Sequence, residues 1–139
     1  MFTKTRLMLL VVSVGLFILP LLTACGGQGP IAADLNDNSI KLSSIIAQAG
    51  PVTFNIKNDS ADEVHELVVL RTDLPADKLT LDAVGGVDEE KFDSAGEQGD
   101  IAASQSAKLT LNLTPGHYAL ICNQPGHYAA GMHLDFTVN

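Results

Sequence analysis

The 139-residue chain predicts an all-β domain, a sandwich or barrel of short antiparallel strands. Two observations lead there. Apolar residues alternate with polar ones at a period of two in several short runs, and turn-forming residues separate those runs at close intervals. Such alternation sends one face of each strand into a core and the other to water.

The first candidate strand is Ile40 to Ala47, apolar and partly β-branched, and Gly50-Pro51 punctuates it. In the next, Val52, Phe54 and Ile56 alternate with polar neighbours up to Lys57. Asn58 to Asp62 reads as a polar turn, and Val64 to Leu70 as the strand after it. Later, Leu109, Leu111 and Leu113 alternate with Lys108, Thr110 and Asn112. Pro115-Gly116 then turns the chain into His117 to Cys122, and Leu134 to Val138 closes the domain. Arg71 to Ser106 resists this pattern. It holds acidic clusters and Gly85-Gly86 with no clean period, and it predicts an irregular excursion packed on one sheet, with a short helix near Leu74 to Val84.

The chemistry-bearing residues gather near the C-terminus. Cys122, His127 and Met132 recur at equal spacing, each pair separated by four residues, so a tight loop can turn all three toward one point. A thiolate, two imidazoles and a long, weak methionine form the ligand set of a mononuclear blue-copper site. The second imidazole is expected from His65, on a distant strand. Thiolate and thioether favour Cu(I), while imidazole also suits Cu(II), so both oxidation states are held by one ligand set. Met132 is the only methionine after the first 25 residues, and Cys122 the only cysteine besides Cys25. His117 and His133 stand outside the pattern: His117 lies five positions before Cys122, which puts them on opposite faces of a regular strand.

The first 25 residues read as a bacterial lipoprotein leader. Lys4 and Arg6 supply the positive start and Leu7 to Leu19 the apolar run, too short for a comfortable membrane span. Leu22-Thr23-Ala24-Cys25 resembles the lipobox, which implies removal of residues 1–24 and a diacylglyceryl group on Cys25. Residues 25–39, rich in glycine and small polar side chains, read as a lipidated cysteine and flexible tether that reaches roughly 45 Å when extended. The copper-binding domain is then expected over 40–139. With Cys25 modified, Cys122 has no partner for a disulfide, although export favours cysteine pairing.

Charge excludes some classes. Loss of Lys4 and Arg6 takes the net charge from −8 to about −10. So acidic a chain lacks the basic footprint of a nucleic-acid binder and is not drawn to anionic lipid by charge. No phosphate loop, metalloprotease signature or serine nucleophile motif is present, and His65-Glu66 is not followed by a second histidine at Val69.

His65, the Cys122, His127 and Met132 spacing, Pro125-Gly126-His127, Gly131-Met132, and Thr114 to Cys122 together resemble the cupredoxins, in particular small blue-copper proteins of the rusticyanin, sulfocyanin and auracyanin type. The resemblance covers about Ile40 to Asn139 and is strongest in the last third. It implies a Greek-key β-sandwich with one type 1 copper at one pole and His127 nearest the surface. Many relatives carry a small polar residue after the first histidine, which ties the ligand loops together; Glu66 stands there instead. It either accepts a hydrogen bond from a ligand loop or faces solvent, and a buried carboxylate there would lower the reduction potential.

The function expected is outer-sphere electron transfer on the extracytoplasmic side of a membrane, in the periplasm or at the cell surface. The protein would be a lipid-anchored monomer without enzymatic activity or small-molecule substrate. Redox partner proteins would dock near His127, on an apolar patch of Pro125, Gly126, Tyr128, Ala129 and Ala130. The second reading is a copper carrier or chaperone; a transferable site, however, is usually open and rich in methionine or histidine, whereas the mature chain has one methionine.

Overall fold

Described over residues 27–139 by a computed structural model, the alternating runs become nine strands in two facing sheets. They are β1 (Ile31–Asn36), β2 (Ser39–Leu42), β3 (Ile46–Ala47), β4 (Gly50–Asn58), β5 (His65–Arg71), β6 (Asp93–Ile101), β7 (Ser106–Leu113), β8 (Gly116–Ile121) and β9 (His133–Val138), with one helical turn, α1 (His127–Ala130), before β9. One sheet has the order β2-β1-β4-β7, the other β3-β9-β8-β5-β6. Both sheets are mixed, because β1 runs parallel to β4 and β3 parallel to β9. The expected leader and Cys25 lie outside the described residues.

β4 shows how sequence makes these strands. Val52, Phe54 and Ile56 are buried while Thr53, Asn55 and Lys57 point outward, and Phe54 meets Phe136 of β9 edge to face at 5.5 Å across the sandwich. Burying one such ring contributes about 1.5–3 kcal/mol. β5 and β8 are central strands buried on both faces, so their sequences are continuously apolar. Leu67, Val69, Tyr118 and Leu120 enter the core between the sheets. Val68, Leu70, Ala119 and Ile121 face a second apolar cluster on the outer side, completed by Ala76, Leu79, Val87 and Tyr128.

Two expectations need correction and a third is narrowed. Residues 31–39 are not a tether: Ile31, Ala33 and Leu35 are buried in β1, which hydrogen-bonds to β2 and β4. The alternation was present, but alanine, aspartate and asparagine gave it the composition of a linker, and the domain begins at Ile31 rather than Ile40. The run Ile40 to Ala47 is two strands, since the chain breaks at Ser43 to Ile45 and passes from one sheet to the other. The short helix expected near Leu74 to Val84 is a three-residue 3-10 helix, Ala76–Lys78. A second such turn, Glu89–Lys91, leads into the nine-residue strand β6.

β6 escaped notice because its sequence, Asp-Ser-Ala-Gly-Glu-Gln-Gly-Asp-Ile, carries almost no apolar signal. It lies at a sheet edge and its pairing with β5 shifts register twice. At Gly96 (φ 142°) a Cβ would stand 2.6 Å from Leu111 Cδ2, so the missing side chain lets β6 close against β7 across the mouth of the sandwich.

Candidate metal centre

The equal spacing of Cys122, His127 and Met132 becomes a closed loop through its backbone. Cys122 N donates to Met132 O at 3.0 Å, Met132 N to His127 O at 3.1 Å, and His127 N to Gln124 O at 2.9 Å. Gly126 (φ 85°) and Gly131 (φ 112°) bracket α1 in left-handed conformations. Gly131 is further constrained, because a Cβ there would meet Asn38 O at 2.9 Å. The loop thus presents a residue inward at each end and His127 between them. Cys122 and Met132 are fully buried in one core cluster.

His65 arrives from the far side, at the first position of β5, and a buried side chain fixes its approach. Asn58 Nδ2 donates to Glu63 O (2.9 Å) and Ile101 O (2.8 Å), while its Oδ1 accepts from Ser60 N (2.9 Å). The polar turn predicted over Asn58 to Asp62 is therefore built around Asn58. Its role could not be seen in sequence, where asparagine before Asp-Ser is an ordinary turn signal.

Donor atoms then converge. His65 Nδ1 and His127 Nδ1 lie 3.1 Å apart, and Cys122 Sγ lies 3.4 Å from His127 Nδ1 and 3.9 Å from His65 Nδ1. Among the described residues, these three form the one group of histidine, cysteine or carboxylate side chains able to hold a metal ion. Nitrogens about 2.0 Å and a sulfur about 2.3 Å from an ion in a trigonal plane would stand roughly 3.5–3.7 Å from one another. The observed separations bracket that range. The donor set is two imidazoles, one thiol and a buried thioether nearby, which fits copper.

The surroundings tune this set. Burial, and then the neighbouring His127, lowers the pKa of His65, and burial raises that of the Cys122 thiol. A bound cation reverses the second effect by taking the sulfur as thiolate. Glu66 N donates to Cys122 Sγ at 3.4 Å. The Glu66 side chain takes the first of its two expected roles: Oε1 accepts from Asn123 N at 2.9 Å and Oε2 from Gln124 Nε2 at 3.4 Å, tying the strand of His65 to the loop of Cys122. Burial raises its pKa.

Asn123, which sequence did not single out, clamps the excursion to this loop. Its Oδ1 accepts from Val87 N at 2.7 Å, and its Nδ2 donates to Val87 O (3.0 Å) and Glu89 Oε1 (2.7 Å). Tyr128 does the same beside His127, donating to Ala76 O at 2.8 Å and accepting from Leu79 N at 3.1 Å. Tyr128 is therefore buried and does not belong to the exposed patch expected around His127. Carboxylates stand outside both imidazoles: Asp37 Oδ1 lies 3.6 Å from His65 Nε2, too long for a hydrogen bond, and Glu63 Oε2 lies 3.8 Å from His127 Nε2. The remaining histidines lie apart. His117 is held by Thr72 O (2.6 Å) and Asp135 Oδ1 (2.9 Å), and His133 packs on the Tyr128 ring.

Residues 31–139 match the family model of copper binding proteins of the plastocyanin/azurin family. The chain belongs to that family. Reduced auracyanin from the photosynthetic bacterium Roseiflexus castenholzii is 20% identical with a TM-score of 0.58, covering 82% of this chain and 99% of that one. Auracyanin A, a "blue" copper protein of the green thermophilic Chloroflexus aurantiacus, is 21% identical with a TM-score of 0.57, over 80% of this chain and 100% of that one. Rusticyanin from Thiobacillus ferrooxidans is 18% identical with a TM-score of 0.54, over 78% of this chain and 75% of that one. These likenesses establish the cupredoxin fold, and the rusticyanin and auracyanin group is the one the ligand spacing resembles. Comparison with curated protein sequences finds no match. The family and the converging donors fit one type 1 copper per chain, at His65, Cys122 and His127 with Met132.

Proposed function

We propose that this protein is a one-electron carrier, lipid-tethered through Cys25 on the extracytoplasmic side of a membrane. The observation that carries the redox part is the enclosure of the donors. His65, Cys122 and Met132 are fully buried, and only the His127 side chain, 15% exposed, reaches the surface. Copper bound there supplies a Cu(II)/Cu(I) couple, reduced by one protein partner and reoxidised by another. The protein's contribution is to hold the same donors around both states, exclude water, and offer the His127 edge as the electron path.

Around that edge Pro125, Gly126, Ala129 and Ala130 are exposed. They form a small apolar face suited to the weak interfaces of electron-transfer pairs. The acidic body would steer toward basic partners, with association rates falling as salt rises. The same enclosure weighs against copper delivery, because a carrier must pass its ion to an incoming ligand and three donors are sealed from solvent.

The test is a Cu(II) titration of the purified protein beside Cys122→Ser. An intense red-absorbing thiolate-to-copper band at one equivalent, bleached by ascorbate, restored by oxidant and absent from the variant, is expected. Colourless or readily chelated copper would reject electron transfer and favour delivery.

A further inference from the structure

The two ends of the sandwich differ in a way that bears on how the domain sits at a membrane. Strand register defines the ends: Gly116 pairs with Val138 at one, and Ile121 pairs with His133 at the other, next to Cys122 and Met132. These ends are about 17 Å apart along β8. The end remote from the donors gathers Ile31 of β1, Gly50 of β4, Leu113 of β7 and the parallel pair of β3 with the last residues of β9.

Three independent features meet at this remote end. First, Ile45 and Ile46 are 55% and 50% exposed, two adjacent large apolar side chains left half open among the described residues. Second, the nearby segments are uncharged: no acidic or basic residue occurs from Gly27 to Ala33, from Leu42 to Ile56, or from Leu113 to Gly116. Charges at its margin include Arg71, whose guanidinium donates to Thr114 Oγ1 (2.9 Å) and Pro115 O (3.0 Å), Asp93, its partner on β6, and Asp135, which holds His117 at 2.9 Å. Asp37, Asp59, Asp62 and Glu63 crowd the donor end instead. Third, the chain enters here, since Gln48 N donates to Gln28 Oε1 at 2.7 Å, beside β3. Three peptide steps separate Gln28 from Cys25, at most about 10 Å of chain.

We propose that this end is a membrane-resting foot, with Ile45 and Ile46 in the interfacial region of the bilayer and the copper site held outward on the far side of the domain. The inference rests on lipidation of Cys25. A 10 Å leash cannot let the domain swing freely over the surface, so some face must lie against the lipid. The sparsely charged end with exposed isoleucines costs least to bring there, and the acidic donor end is repelled by anionic headgroups. His127 is thereby presented to partners approaching from the aqueous side.

The chain contains no tryptophan, so single tryptophans report position without background. Full-length protein carrying Ile46→Trp, Ile45→Trp or Val84→Trp would be produced with its leader, purified in detergent, and reconstituted in phosphatidylcholine vesicles containing bromine-labelled lipid. Val84 is 91% exposed on the turn beside Asn123, at the donor end. Lipid quenching of both isoleucine probes several-fold stronger than that of Val84→Trp is expected. Equal quenching, or stronger quenching of Val84→Trp, in protein whose N-terminal mass shows the diacylglyceryl group would overturn the foot while leaving the anchor intact. Protein that lacks the lipid mass and fails to float with vesicles would overturn the anchor and the foot together.

Discussion

The two apolar clusters of this domain differ in what they fasten. The main core, between the sheets, is built chiefly from alternating strand residues such as Val52, Phe54, Ile56 and Phe136, and it also takes in Cys122 and Met132 at the two ends of the copper loop. The outer cluster lies between β5, β8 and the excursion, and it reaches the copper loop through Tyr128, just as Asn123 reaches it through Val87 and Glu89. The first cluster holds the fold and anchors both ends of that loop. The second braces the loop that carries three of the four ligands, which gives the acidic excursion a purpose its sequence did not announce.

That division can be broken most forcefully in the main core. Phe54→Ala removes a fully buried ring that packs on Phe136 and is expected to cost about 3–5 kcal/mol, read by denaturant unfolding of the copper-loaded protein. The visible spectrum of the remaining folded protein should be unchanged. A shifted thiolate band would show that the core sets ligand geometry as well. The converse experiment is Tyr128→Phe, which leaves Ala76 O and Leu79 N without their buried partner and should cost about 1–3 kcal/mol. Its distinguishing effect is faster loss of copper to a chelator at fixed temperature. Unaltered copper release would mean that the brace stabilises the fold alone.

A smaller effect tests the tie between strand and loop. Glu66→Gln keeps an oxygen to accept from Asn123 N but removes a negative charge beside the donors, so the reduction potential should rise. A screened unit charge is worth about 1 kcal/mol, or roughly 40 mV for one electron. Burial raises the Glu66 pKa, so the wild-type carboxylate is charged above that pKa and neutral below it. The gap between variant and wild type should therefore be full at alkaline pH and shrink as pH falls, measured by protein-film voltammetry. A constant gap would assign the effect to hydrogen bonding rather than charge.

Much of the site was legible because its residues are rare and local. Cys122, His127 and Met132 occupy one short loop whose glycines and spacing dictate its closure, and the soft and borderline donors in it specify the metal by chemistry. His65 stood out mainly through the resemblance, since it lies 57 positions before Cys122. Asn58 and Asn123 were not legible. An asparagine in a turn looks the same whether it faces water or satisfies three backbone groups, and only its neighbours in space tell the two apart.

The same boundary runs through the fold. Sequence by itself determined the all-β class, the strands β4, β5, β7, β8 and β9, and the ligand types, because burial on one or both faces writes a period or a continuous apolar run into the chain. Tertiary structure decided that residues 31–36 are a strand rather than a tether, that polar, glycine-bearing β6 completes a sheet edge, and that Asp37 and Glu63 face the outer nitrogens of the histidines. Each of those depends on a partner distant in sequence. Backbone hydrogen bonds and close approach at a glycine leave little mark on hydropathy, and the alternation of residues 31–36 was masked by a linker-like composition.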